Sequence, residues 1–119
     1  FKNLVIGNDC FIGKHCFFDL TDTITIGNRC AISMHVMLIT HDNQGESFQA
    51  QYPPRKKPIL IGNDCIINVR ATLTLGATLE DMCKVLPHTV VSTYLDHFTK
   101  VRGNPAVTLS RQTKDPHKS

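Results

Sequence analysis

A six-residue spacing of large apolar side chains runs through most of the chain. Ile, Leu, Val or Phe recurs at every sixth position in three phased runs: Ile6, Ile12, Phe18; then Ile26, Ile32, Leu38; then Ile61, Ile67, Leu73, Leu79, Val85, Val91. A period of six matches neither the 3.6-residue turn of an amphipathic helix nor the two-residue alternation of an isolated strand. It favours short strands joined by tight corners, with one large and one small side chain facing inward on each strand.

Two other positions of this hexad are also restricted. The residue after the large one is glycine at four places, where a turn favours a residue without a Cβ atom: Gly7, Gly13, Gly27 and Gly62. The fifth residue is usually small and includes every cysteine of the chain: Cys10, Cys16, Cys30, Cys65 and Cys83. Because no CxxC pair typical of a zinc or redox site is present, we interpret the cysteines as small apolar fillers of the interior, with a metal or redox role as the alternative.

The composition fits one small domain with an aliphatic interior. The chain has 119 residues, of which 41% are hydrophobic, and it contains no Trp, two Tyr and six Phe. Its net charge of +3 is weak and dispersed, which argues against a nucleic-acid-binding protein. No apolar run approaches the roughly 18 residues of a membrane span, and no basic-then-apolar signal segment opens the chain. These features predict a soluble, cytoplasmic protein.

Three segments resemble motifs of one known family. Residues 61–67, with the sequence IGNDCII, resemble its repeated coil motif; residues 38–42, LITHD, resemble the segment that carries its catalytic histidine; residues 101–106, VRGNPA, resemble its closing motif. By this resemblance the chain is identified as a member of the hexapeptide-repeat acyltransferases, in the branch of sugar, maltose, galactoside and xenobiotic O-acetyltransferases. The resemblance covers roughly residues 4–106.

The resemblance implies an all-β fold, a left-handed parallel β-helix of about four triangular coils. Three hexads form one coil, which places the coils at residues 6–23, 26–43, 61–78 and 79–96. Residues 42–58 are then a long loop excursion, within a domain of residues 1–106 that is followed by a polar tail of residues 107–119. A loop of this length in a compact domain is usually either functional or disordered.

The resemblance also implies an activity, the transfer of an acetyl group from acetyl-coenzyme A to a hydroxyl of a small acceptor such as a sugar or polysaccharide precursor. His41 would be the general base, since imidazole can accept the hydroxyl proton at neutral pH. Asp42 is a candidate for orienting that imidazole, but adjacent strand residues point oppositely, which favours a solvated loop acid. We expect a homotrimer, because family members are trimers with active sites between adjacent β-helices. We expect no metal.

Two further groups of residues are predicted at the site. Cofactor-binding residues are expected in and near the closing turn: Arg102, Gly103, Asn104, Pro105 and Arg111, with Lys114 as a further cation for the phosphates of coenzyme A. Substrate-binding residues are expected at the coil corners and the excursion: His15, His35, Asp42 and Arg55. The basic run Arg55, Lys56 and Lys57 suits an anionic acceptor such as a nucleotide sugar, or is simply a solvated loop.

Two alternatives remain open from the sequence. The later coils lack the glycine of the repeat, Ile66 stands where the family motif has Trp, and Val107 stands where a basic residue is usual. These departures fit a non-catalytic, degenerate β-helix that only binds. The outward column of His15, His35, Arg70 and His88 instead fits a gamma-carbonic-anhydrase-like enzyme, in which imidazole nitrogens hold a metal.

Overall fold

The structure, a computed structural model, describes residues 2–111, and the chain winds there as a left-handed parallel β-helix with three faces. Face A contains β1 (Leu4–Ile6), β4 (Ile24–Ile26), β9 (Ile59–Ile61), β12 (Thr78–Leu79) and β15 (Tyr94–Leu95). Face B contains β2 (Phe11–Ile12), β5 (Ala31–Ile32), β10 (Ile66–Ile67), β13 (Lys84–Val85) and β16 (Thr99–Arg102). Face C contains β3 (Phe17–Phe18), β6 (Met37–Leu38), β11 (Thr72–Leu73) and β14 (Val90–Val91). No helix within residues 2–111 is long and apolar enough to cross a membrane.

The hexad spacing predicts the strand register correctly. On face A, Ile6 pairs with Ile26, Ile26 with Ile61, and Ile61 with Leu79. The predicted anchors of faces B and C pair in the same way from coil to coil. Each anchor therefore lies directly against its counterpart in the next coil, at the usual strand spacing of about 4.8 Å.

The number of coils differs from the prediction of about four. Four complete coils are followed by a fifth that has strands only on faces A and B, β15 and β16. The corner into this fifth coil is short, because Leu79 pairs with Leu95 and only three residues separate Val91 from Leu95. This shortened corner breaks the six-residue phase, so the sequence period does not reveal the last coil.

The interior is a stack of aliphatic side chains with small residues between them. Ile26, Ile32, Leu38, Ile67 and Leu73 are at most 1% exposed. In coil 1, by contrast, Ile6 is 39% exposed. Coil 1 has a neighbouring coil on only one side within the described residues, so its anchors bury less apolar surface.

The cysteines occupy the predicted interior positions. Cys30, Cys65 and Cys83 are buried, Cys10 and Cys16 are half-buried, and all five thiols are free. Each thiol reaches a carbonyl oxygen of the next coil, for example Cys30 Sγ to the Gly62 oxygen at 3.0 Å. The flanking thiols of Cys30 and Cys83, together with burial, raise the pKa of Cys65 and keep that thiol protonated. This environment agrees with a structural role.

Gly27 lies where two coils approach closely at the corner after β4. A Cβ atom added there would lie 2.6 Å from Asn63 Oδ1 and 2.8 Å from the carbonyl carbon and oxygen of Gly62. We expect Gly27→Ala to lower the free energy of unfolding by about 1–3 kcal/mol, because backbone atoms must move to make room. Urea unfolding would measure the change.

Gly45→Ala is the control for this experiment. Nothing lies within 4 Å of a Cβ atom added at Gly45, although its φ angle is 86°. Because its ψ angle is 168°, this backbone is one that essentially only glycine adopts, so the variant reports a conformational cost of about 1–3 kcal/mol without any contact between coils. A Gly27→Ala variant as stable as the wild type would show that the coils are not in close contact at this corner.

The excursion and the end of the chain contain additional strands. At the two ends of the predicted loop of residues 42–58, β7 (His41–Asp42) and β8 (Arg55–Lys56) form a short antiparallel pair, and between them residues Glu46–Phe48 form one turn of 3-10 helix. At the end of the described chain, β17 (Val107–Arg111) pairs antiparallel with β16. The prediction of a polar tail from residue 107 is therefore wrong for residues 107–111, because this strand covers the free edge of face B; residues 112–119 lie outside the described residues.

Candidate active site

His41 lies where the chain leaves face C of the second coil for the excursion. Its Nδ1 atom lies 2.5 Å from Asp19 Oδ2, and its side chain is 43% exposed. An ionised carboxylate only accepts hydrogen bonds, so Nδ1 carries the proton and donates to Asp19. The second ring nitrogen, Nε2, has no hydrogen-bond partner within residues 2–111 and can accept a proton from a ligand.

Asp19 is buried at 7% exposure and receives several donors besides His41. The backbone N–H groups of Thr40 and His41 donate to Oδ2 at 2.9 and 3.1 Å. The Thr21 backbone and hydroxyl donate to Oδ1 at 3.2 and 2.8 Å. Burial opposes ionisation, but the hydrogen bonds from His41, Thr21 and Thr40 outweigh it and hold the pKa of this carboxyl well below its usual range.

The low pKa of Asp19 has two consequences. First, the carboxylate is charged throughout the neutral range and keeps the imidazole in one tautomer and orientation. Second, because the pKa is lower in the folded than in the unfolded chain, these interactions stabilise the fold above the ordinary carboxyl pKa of about 3.9. That stabilisation is lost as the pH falls through the folded-state value.

Asp42 is not the hydrogen-bond partner of the imidazole. Its Oδ2 atom accepts a hydrogen bond from Arg55 at 3.0 Å, and its Oδ1 atom accepts one from Gln44. This position agrees with the argument that neighbouring strand residues point in opposite directions. The acid that holds His41 is Asp19, from the preceding coil.

Asp19 was not among the residues expected from sequence, although the sequence holds a signal for it. Asp19 follows the anchor Phe18, in the hexad position where other repeats carry glycine. Ile6 and Ile26 are register partners, so one coil here spans 20 residues and Asp19 lies beside residue 39. The sequence signal for the pair of Asp19 and His41 is thus a carboxylate in the glycine position of a hexad, about one coil before the histidine.

A cleft of about 280 Å³ opens over His41. Its walls include Thr21 from the first coil and Asp42, Arg55 and Lys56 from the paired strands of the excursion. A second hollow of about 340 Å³ lies farther along the excursion and is lined by Gln44, Phe48 and Tyr52. Of the predicted substrate-binding residues, Asp42 and Arg55 thus lie in the wall of the His41 cleft.

His15 and His35 lie elsewhere, at the corner between faces B and C. Their rings are stacked, with centroids 5.2 Å apart and an angle of 17° between the planes. The Arg70 N–H donates to the Met34 carbonyl at 3.2 Å and the His88 N–H donates to the Val69 carbonyl at 3.1 Å. The His35 N–H bonds in the same way to the carbonyl of Lys14, the residue before His15, so Arg70 and His88 continue the predicted column. Within residues 2–111 no three His, Cys, Asp or Glu side chains are arranged to hold a metal ion. The structure does not bring His15 or His35 into the His41 cleft of the same chain.

The predicted cofactor-binding turn packs against β14 on face C. Gly103, with a φ angle of 101°, donates its N–H to Thr89 Oγ1 at 3.2 Å and accepts from the Val90 N–H at 2.9 Å. The peptide bond from Asn104 to Pro105 is cis, and Ala106 donates to the Val90 carbonyl at 3.1 Å. The turn therefore continues face C beyond β14. On this face β14 lies two strands from β6, the strand that leads to His41.

The predicted cations differ in their surroundings. Arg102 is exposed and has no ion-pair partner within residues 2–111. Arg111 instead forms an ion pair with Asp96. Lys114 lies outside the described residues. Arg102 is thus better placed than Arg111 to pair with a phosphate group.

Comparison with solved structures shows the same fold in several acyltransferases. A maltose O-acetyltransferase from Clostridium difficile 630 superposes with a TM-score of 0.85 at 21% identity, covering 94% of this chain and 60% of that one. A hexapeptide-repeat acetyltransferase from Vibrio cholerae, complexed with acetyl-coenzyme A, gives 0.84 at 25%, covering 96% and 62%. An N-acyltransferase from Bacillus cereus, in complex with dTDP-4-amino-4,6-dideoxyglucose and coenzyme A, gives 0.81 at 15%, covering 93% and 64%. The chain thus spans less than two thirds of the length of these proteins.

The sequence itself matches one family profile. No curated protein matches the chain by sequence. The family described as the hexapeptide repeat of succinyl-transferase matches residues 3–38 and 58–86, which is more than half of the chain. The match stops short of the excursion, and after residue 86 it leaves out the end of the fourth coil and the fifth coil. The matched segments are those whose anchors stack in register in the structure. The chain belongs to the hexapeptide-repeat family.

Proposed function

We propose that this protein is an acetyl-coenzyme A-dependent O-acetyltransferase that acts on a hydroxyl of a small, sugar-like acceptor. The observation that carries the proposal is the pair formed by Asp19 and His41, whose Nδ1–Oδ2 distance is 2.5 Å at the edge of an open cleft. A buried carboxylate that fixes one nitrogen of a partly exposed imidazole leaves the other nitrogen available as a general base. The fold shared with acetyltransferases supports the same reaction class.

The proposed reaction begins with the acceptor hydroxyl hydrogen-bonded to His41 Nε2. The imidazole takes the proton as the oxygen attacks the thioester carbonyl of acetyl-coenzyme A, and Asp19 stabilises the imidazolium that forms. The carbon–sulfur bond then breaks, and the coenzyme A thiolate takes a proton from the imidazolium or from water. The products are the acetyl ester of the acceptor and free coenzyme A.

Coenzyme A would lie along face C between His41 and the closing turn. From β6 through β11 and β14 to the turn is three strand spacings, about 14 Å. Arg102, beside that turn and without an ion-pair partner within residues 2–111, can pair with a phosphate group. Of the other predicted contacts, the turn residues Gly103, Asn104 and Pro105 fit this path, whereas Arg111 already has a partner in Asp96.

A homotrimer is proposed as the active assembly. Phe11, Phe17, Met34 and Met37 are 64%, 53%, 51% and 42% exposed on the outer surface of faces B and C. Phe11 and Met34 also line a surface hollow of about 610 Å³. Exposed apolar side chains in such number favour contact with another protein surface.

Location in the cytoplasm stays a prediction from the sequence.

Thermal unfolding with acetyl-coenzyme A tests the proposal. At a free ligand concentration of about 100 times Kd, binding to the native state stabilises it by about 2.7 kcal/mol. For a domain of this size we expect the Tm to rise by roughly 10 °C. Acetate at the same concentration is the control and should leave the Tm unchanged.

Turnover is measured in a second arm of the same experiment. Release of the coenzyme A thiol is followed with maltose, glucose and glucosamine as acceptors. Release with glucosamine but not with glucose would indicate an amine acceptor, whereas release with glucose or maltose indicates a hydroxyl. A shift in Tm without thiol release on any acceptor would favour a binding protein of the same fold. The absence of a shift with any acyl-coenzyme A would contradict the transferase.

A further inference from the structure

The three consecutive cations of the excursion have different surroundings. Arg55 donates to Asp42 Oδ2 at 3.0 Å, so a carboxylate already balances its charge. Lys57 donates its backbone N–H to the Thr40 carbonyl at 3.0 Å, and its aliphatic stem lies over Gly76, where an added Cβ atom would be 3.2 Å from Lys57 Cδ. Lys56 lies between them and lines the His41 cleft. The run is therefore not a uniform solvated loop.

Lys56 is the cross-strand neighbour of His41. In the antiparallel pair of β7 and β8, His41 lies opposite Lys56 and Asp42 lies opposite Arg55. The hydrogen bond between Lys57 and Thr40 makes the next pair, His41 and Lys56, a non-hydrogen-bonded one. Side chains at such positions project to the same side of the strands, with Cβ atoms about 5 Å apart. The Lys56 side chain thus leaves its strand on the same side as the imidazole of His41.

The charge of Lys56 is not neutralised by the described chain. No carboxylate within residues 2–111 forms an ion pair with it. Asp42 is paired with Arg55, and the buried Asp19 is occupied by His41 and the backbone. Asp22, near Thr21, accepts a hydrogen bond from the Thr23 N–H at 2.7 Å. Lys56 therefore adds an unbalanced positive charge beside the base.

We propose that Lys56 selects an acidic acceptor, a sugar or sugar-containing molecule with a carboxylate or phosphate group near the hydroxyl that His41 deprotonates. The inference rests on the proposed function. The side-by-side placement of Lys56 and His41 puts the acidic group roughly 5–8 Å from the reacting oxygen, which is within one sugar ring. Lys56 is a specificity-determining residue in this proposal and takes no part in proton transfer.

Matched acceptors test the proposal through kinetics. The probes are methyl glucuronide and glucose 6-phosphate, compared with methyl glucoside, and the variants are Lys56→Met and the control Lys57→Met. We expect the wild-type kcat/KM to be about tenfold to a hundredfold higher for an acidic sugar than for the neutral one, the range expected for a hydrogen bond between charged groups. Lys56→Met should bring this ratio close to one by lowering kcat/KM for the acidic sugar while leaving kcat/KM for the neutral sugar unchanged. Lys57→Met should keep the wild-type ratio.

The two acidic probes separate carboxylate from phosphate recognition, since the preferred group gives the larger ratio. A wild-type enzyme that acetylates neutral and acidic sugars equally, or a Lys56→Met variant that retains the preference, would overturn the inference while leaving the proposed transferase intact. With acetyl-coenzyme A at saturating concentration, raising the salt concentration should reduce the preference for the acidic sugar and leave the rate on the neutral sugar unchanged.

A binding measurement decides the inference even if no acetyl transfer is found. The imidazole resonances of His41 are followed by proton–nitrogen NMR as methyl glucuronide, inorganic phosphate or methyl glucoside is added. We expect the two anions to shift these resonances in the wild type and in Lys57→Met, but not in Lys56→Met. Anion-induced shifts that are equal in the two lysine variants, or absent in the wild type, would contradict a role for Lys56.

Discussion

Replacing His41 with alanine should lower kcat/KM for acetyl transfer by about 10²–10⁴-fold, the usual contribution of a positioned general base. The substitution removes the nitrogen that takes the hydroxyl proton, but it leaves the closing turn on face C intact. The affinity for acetyl-coenzyme A, read from the shift in Tm, should therefore stay close to that of the wild type. Steady-state release of the coenzyme A thiol measures the loss.

Asp19→Asn should reduce kcat by at least tenfold with little change in the KM for acetyl-coenzyme A, because Asp19 acts through His41. All five hydrogen bonds to the carboxylate come from donors on Thr21, Thr40 and His41. An asparagine must turn its NH₂ group toward one set of these donors. If the NH₂ group faces His41, it favours the tautomer with the proton on Nε2, which cannot accept the hydroxyl proton. If it faces Thr21, it leaves that residue's donors without an acceptor, which costs about 1–3 kcal/mol of stability.

His97→Asn is the matched control for both variants. His97 is an exposed histidine of the fifth coil, 3.7 Å from Glu80, and it lines neither the His41 cleft nor the hollow beside it. We expect wild-type rates from this variant. A His41→Ala protein that is folded, binds acetyl-coenzyme A and still turns over at more than a tenth of the wild-type rate would show that another group removes the proton.

The hexad positions could be predicted from sequence because burial repeats at a fixed interval. Ile26, Ile32 and Leu38 lie at equivalent buried positions on faces A, B and C of one coil. Their spacing of six residues is therefore the length of one side of the coil. The same regularity explains why the cysteines are interior residues. Periodicity fails where the chain leaves the repeat, as in the short corner before Leu95 that begins the fifth coil.

The site was predicted less completely than the fold, since its residues are selected by contacts between coils. A local motif indicates His41, whereas its partner Asp19 precedes it by 22 residues and contacts it only when the coils stack. In the excursion, composition alone makes Arg55 and Lys56 equivalent cations. The antiparallel pairing with β7 separates them, because it places Asp42 opposite one and His41 opposite the other.

The packing of face B gives the second large prediction, in which two adjacent isoleucines behave differently. Ile67 is fully buried, and β10 is paired on both sides, with β5 and β13. Ile67→Ala should lower the free energy of unfolding by about 2–5 kcal/mol, through lost apolar burial and the cavity left between coils. This is a large part of the 5–15 kcal/mol typical of a domain. Urea unfolding followed by circular dichroism measures the change.

Ile66→Ala is the matched control, since Ile66 points outward from the same strand and is 40% exposed. In the isolated chain its loss should change stability by no more than about 0.5–1 kcal/mol. If Ile66 lies in a contact between chains, the effect grows with protein concentration, because association adds to the stability of the folded state. Losses of equal size in both variants at low protein concentration would contradict the assigned register, since a shift of one residue exchanges the inward and outward positions of every strand.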